Sequence, residues 1–115
     1  MSSYYGKKFD KVIRNLKKRA PLPVPVSVRT FPKLKCDESG ALLYGHCVAT
    51  ISSRGKIESF EIAIVRGLPL DTAIDTLLHE WAHAVDQIEN GSGCGHGPKW
   101  GAAYAKMWRL YTGEE

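Results

Sequence analysis

Apolar residues recur at Tyr5, Phe9, Val12, Ile13 and Leu16, the spacing of one helix face, while Lys7, Lys11, Arg14 and Lys18 line the opposite face. The pattern predicts an amphipathic helix over residues 4–19 with a basic ridge. It stops at PLPVPV, where Pro21, Pro23 and Pro25 forbid a further helical turn and hold the chain extended. Three segments rich in β-branched and aromatic residues follow: VSVRTF at 26–31, LLYGHCVATI at 42–51 and IESFEIAIV at 57–65. CDESG and SSRGK separate them with turn chemistry, so the second and third strands are expected to form an antiparallel hairpin within a small three-stranded antiparallel meander.

A helical period returns after RGLP. Ala73, Ile74, Leu77, Leu78, Trp81, Ala84, Val85 and Ile88 cover much of the circumference of a helix over 70–89, as befits a central element. NGSGCG then breaks it, and Pro98 suits the first turn of a closing helix through GPKWGAAYAKMWRLY. Trp100, Tyr104, Met107, Trp108 and Tyr111 recur there at the spacing of a buried stripe and read as core packing.

The 115 residues, 43% of them hydrophobic, suit one α+β domain spanning 1–115 with a single core. No apolar run reaches the length of a membrane span, and the first residues lack the apolar stretch of a signal peptide, so a soluble, cytoplasmic protein with no membrane partner is expected. Cys36, Cys47 and Cys94 are odd in number and form no CxxC pair, which argues against a disulfide framework. Charge changes the picture at one end only: residues 7–19 carry seven Lys or Arg against one Asp. Lys7, Lys11, Arg14 and Lys18 are therefore candidates for binding nucleic acid, with a merely solvated helix face as the plain alternative.

Three of the four histidines fall within HEWAHAVDQIENGSGCGH, residues 79–96. His79 and His83 stand four apart on the central helix and so project from the same side, one turn apart. His96 can join them, because the glycines of NGSGCG let the chain turn back. Three imidazoles with an open fourth position are a catalytic zinc set, and one Zn²⁺ is the expected cofactor. Glu80, next to the first ligand, is rotated so that it faces a water without coordinating the metal, the general acid/base position of HExxH. Cys94 is the nearby thiolate that could close the set into a structural site. Asp75 and Asp86 share the ligand face and are candidates to accept ring N–H groups. Tyr104 and His46 are candidates to polarise a carbonyl oxygen.

The metzincin extension requires Gly at position 86 and His at position 89, where Asp86 and Glu89 stand. A third carboxylate ligand from a later helix would have to be Glu114 or Glu115, at the end of the sequence. HEWAHAV followed by GHGPKW instead resembles the SprT-like metalloprotease family, which includes the Spartan proteases that digest proteins crosslinked to DNA. Trp100 stands where that family has a bulky residue. The resemblance implies a zincin-like fold, zinc on His79, His83 and His96, Glu80 as catalytic acid/base, a protein or peptide substrate, and action on DNA-associated proteins. The sequence departs from longer members of that family in carrying no zinc ribbon or appended DNA- or partner-binding tail, so a minimal catalytic domain is expected. Two other functions remain open at this point: a DNA- or protein-binding module with a structural zinc, and a zinc hydrolase of another bond, such as a nuclease.

Overall fold

The computed structural model describes residues 4–34, 43–91 and 96–113. Three helices and three strands follow one another as α1 (Lys7–Arg19), β1 (Val26–Phe31), β2 (Gly45–Ile51), β3 (Ile57–Val65), α2 (Leu70–Asn90) and α3 (Pro98–Thr112). α1 begins at Lys7 instead of residue 4, because Gly6 takes the positive φ of 91° that turns the chain into the helix. Tyr5 lies ahead of the helix, and its hydroxyl donates to the Val65 carbonyl and accepts from the Leu68 N–H. One end of α1 is thereby tied to the connection between β3 and α2.

The sheet departs from the expected meander. Its order is β1-β3-β2, with β2 antiparallel to β3 but β1 parallel to it, so it is mixed. The hairpin between β2 and β3 forms as its turn chemistry dictates, closed by Ser52 N–H to the Lys56 carbonyl at 2.7 Å. The difference lies in where β1 goes. β3 is the most apolar strand, with Phe60, Ile62, Ala63 and Ile64 all buried, and a strand buried on both faces belongs in the middle of a sheet. Residues 32–44 are a connection long enough to carry the chain past β3, and Leu43 N–H bonds the Leu34 carbonyl across it.

α2 is the central helix, touching β2, β3, α1 and α3. It buries Ile74, Leu77, Leu78 and Trp81 against Phe9 and Leu16 of α1, Ile62 and Ile64 of β3, and Met107 and Leu110 of α3 in one cluster. The Trp81 indole is fully enclosed, and its N–H is satisfied by the Ala20 carbonyl at 3.1 Å, which locks α2 to the end of α1. Burial of these side chains stabilises the domain by roughly 1.5–3 kcal/mol for each of the larger ones. α2 ends where Gly91 adopts φ 67°, its N–H capping the Gln87 carbonyl. At the start of β2 the backbone presses on α2 so closely that a Cβ at Gly45 would stand 2.7 Å from Thr76 Cγ2 and 2.8 Å from the Ala63 oxygen. Only glycine fits there, and β2 is held alongside the helix that carries the histidines. Among the described residues no helix is long and apolar enough to cross a membrane.

Candidate metal centre

His79 and His83 occupy successive turns of α2, and His96 stands just ahead of Pro98, the first residue of α3. The return of the chain across the α2 face brings the three rings together. Their Nε2 atoms form an equilateral triangle, 3.2 Å between each pair. They are close enough to bind one metal ion. His83 is buried, His79 half-buried and His96 exposed, so one side of the cluster is open to solvent.

An imidazole Nε2 carries either a proton or a lone pair, never both, so three of them at equal separations cannot turn every contact into a hydrogen bond. Protonation does not resolve the crowding either. Burial, then the neighbouring His96, lowers the His79 pKa against the opposing pull of Asp75. Burial, then His79 and His96, lowers the His83 pKa to about 4, with Asp86 opposing. These two rings are therefore neutral at pH 7 and offer lone pairs to a shared cation.

Glu80, one residue on from His79, is 6% exposed, and its Oε2 lies 3.9 Å from His79 Nε2. Burial raises its pKa to about 7. A cation on the three nitrogens would pull it back down, because opposite charge favours the carboxylate. The apo protein accordingly has a measurable pH signature. The folded value lies above the ordinary 4.5, so the stability that the carboxyl confers is fully present below pH 4.5 and is lost as pH rises toward 7. Chelator-treated Glu80→Gln is expected to match the wild type closely near pH 5. It should exceed it near pH 8 by about 3 kcal/mol, or roughly 10 °C in Tm. Thermal unfolding across that range reads the difference, and a constant gap between the two proteins would show that the carboxyl is not shielded from water.

The supporting residues do not take the expected places. Asp75 accepts the Tyr104 hydroxyl, and Asp86 accepts Asn90 Nδ2 at 2.7 Å; neither has a hydrogen bond to a histidine ring among the described contacts. His83 Nδ1 is buried without a hydrogen-bond partner among the described residues. Tyr104, engaged by Asp75, has its pKa raised by burial first and by that bond second. His46 sits in β2 opposite Ala63. Lys7, Lys11, Arg14 and Lys18 are all exposed on α1. Cys36, Cys94, Glu114 and Glu115 lie outside the described residues.

Trp100 packs against the core, as its spacing predicts, and its indole also touches all three imidazoles, with ring centroids 4.8 Å from His79, 5.2 Å from His83 and 4.5 Å from His96. The signal available in the sequence was its position four residues after His96, at the third residue of α3. Neither a protein-family model, nor a curated protein, nor a solved structure matches this chain.

Proposed function

We propose that this protein is a zinc-dependent peptidase of the SprT-like type, a zincin-like α+β domain that hydrolyses peptide bonds. The observation that carries the reading is the triangle of imidazole nitrogens beside a buried carboxylate. A tetrahedral zinc ion with Zn–N of about 2.0–2.1 Å has ligands roughly 3.3 Å apart, and the 3.2 Å separations fit that spacing. An all-imidazole donor set favours zinc over calcium or magnesium, which prefer oxygen. Among the described residues three ligands converge, one of them exposed, which suits an open catalytic site better than a closed structural one.

His79, His83 and His96 would hold the ion, which when bound supplies Lewis acidity toward water and toward a peptide carbonyl. The chain's own contribution is proton transfer at Glu80. Its carboxylate accepts a proton from the attacking water, and the resulting carboxylic acid gives it to the amine nitrogen as the C–N bond breaks. Burial raises the proton affinity of Glu80 against the opposing pull of a bound cation, which keeps it a stronger base than an exposed carboxylate in the same place would be.

The substrate is read as an extended segment on the free edge of β2. That strand pairs only with β3 among the described residues, packs beside α2, and from Leu43 to Ile51 contains neither charge nor proline to block pairing. A nucleic-acid partner on α1 is supported by the exposed basic ridge. It is supported further by a groove of about 280 Å³ between α1 and α3, where Lys8, Lys11 and Asn15 meet Tyr111.

The test is zinc content together with cleavage of a loosely folded basic protein, with and without single-stranded DNA. One zinc per chain, and cleavage that is lost on chelation and restored by zinc, is the expected result; faster cleavage with DNA would support the α1 partner. Bound zinc without cleavage of any protein would favour a binding module with a structural metal. Cleavage of nucleic acid instead of protein would favour a nuclease.

A further inference from the structure

Ligand histidines are ordinarily oriented through their second ring nitrogen, which donates to a carboxylate, a carbonyl or water. His83 lacks that bond among the described residues: Nδ1 is buried with no partner, and the nearby Asp86 accepts from Asn90 instead. Something else must hold the ring. The Trp100 indole lies nearly flat on it, 28° between planes at 5.2 Å, and meets His79 and His96 at steeper angles.

The indole is itself held from two sides. Its N–H donates to the His79 carbonyl at 3.4 Å, and the Tyr104 ring stacks on it at 4.9 Å and 13°. The Tyr104 hydroxyl donates to Asp75, one turn ahead of His79 on α2. The two aromatic residues are four apart on α3, so the helix presents them as one rigid surface against α2. His96 precedes Trp100 by four residues and is placed by the same docking of α3.

We propose that Trp100 is the positioning residue of the metal centre, setting the orientation of all three imidazoles by ring packing where His83 Nδ1 has no hydrogen-bond partner among the described residues. The consequence is preorganisation: with the indole in place, the lone pairs are already convergent before an ion arrives, and binding need not order the rings. The essential property is a flat aromatic face, not bulk.

This inference rests on the metal reading above, and its test separates the two. Zinc affinity is measured by chelator competition for the wild type, Trp100→Phe, Trp100→Leu and Trp100→Ala. Thermal unfolding of each apo protein and the visible spectrum of each cobalt complex are recorded alongside. Phe is expected to bind within about threefold of the wild type, while Leu and Ala lose about 10–100-fold, the range typical of a lost orienting contact. The intense tetrahedral cobalt bands should weaken in Leu and Ala but persist in Phe. A merely structural role would lower the apo unfolding temperature without altering the cobalt spectrum. Should Ala fail to fold, Leu, which keeps most of the volume, decides. Leu binding within twofold of the wild type, or Phe losing as much as Leu, would overturn the proposal. A wild type that binds no zinc would overturn the metal reading itself.

Discussion

Glu80→Gln is expected to slow peptide hydrolysis by about 10²–10⁴-fold while the protein keeps one zinc per chain. The two halves of that result come from different atoms. On the proposed reading, metal retention would depend on Nε2 of His79, His83 and His96, which the substitution leaves in place. Hydrolysis depends on a group that takes a proton from water and returns it to the leaving nitrogen, and glutamine does neither. Glutamine matches glutamate in size, so the buried pocket around residue 80 stays filled and the core contacts of α2 are undisturbed. Kinetics on a fluorogenic peptide, paired with metal analysis of the same sample, gives both readings. A variant that loses zinc would mean that the carboxylate is a ligand, and one with wild-type rates would remove Glu80 from the reaction.

His96→Ala is expected to weaken zinc binding by on the order of 10³-fold, more than the ~10–100-fold typical of losing an orienting contact, and to abolish hydrolysis with it. His96 is exposed and lies outside the helices, so its removal opens no core cavity and the apo protein should unfold at the wild-type temperature. The sensitive observable is the stabilisation by zinc. At a free concentration about 1,000 times Kd, a ligand that binds only the folded state adds about 4 kcal/mol. The wild type should therefore show a zinc-dependent rise in Tm of more than 10 °C, and His96→Ala little or none. Cys94→Ser serves as the control and should keep the full rise. If Cys94→Ser lost it and His96→Ala kept it, the third ligand would be the thiolate.

Helix placement was legible because its cause is local. The 3.6-residue period of Phe9, Val12 and Leu16, and of Ile74, Leu77, Leu78 and Trp81, is written in consecutive residues, and the burial of these positions follows it. Local turn chemistry likewise gave the hairpin of β2 and β3. The pairing of β1 was not legible, since a strand's partner depends on which edge of β3 is free once the hairpin has formed, and no residue within β1 encodes that.

The candidate site divides along the same line. Spacing alone puts His79 and His83 on one helix face and turns Glu80 aside from them, because helical geometry leaves them no other arrangement. The approach of His96 to 3.2 Å from both rings depends on how α3 docks against α2, a contact between residues distant in sequence. Asp75 and Asp86 had suitable spacing on α2, but their side-chain hydrogen bonds run to Tyr104 on α3 and to Asn90 in the last turn of α2 instead. Trp100 carried the pattern of a buried stripe, and only the packing of two helices turned that stripe toward the histidines. By itself the sequence determined the elements, the apolar faces and the presence of a histidine pair with its carboxylate, since these follow from backbone geometry within a few residues. The parallel strand, the third imidazole and the aromatic wall behind it were decided by tertiary structure, because each depends on which surfaces remain available after the core has closed.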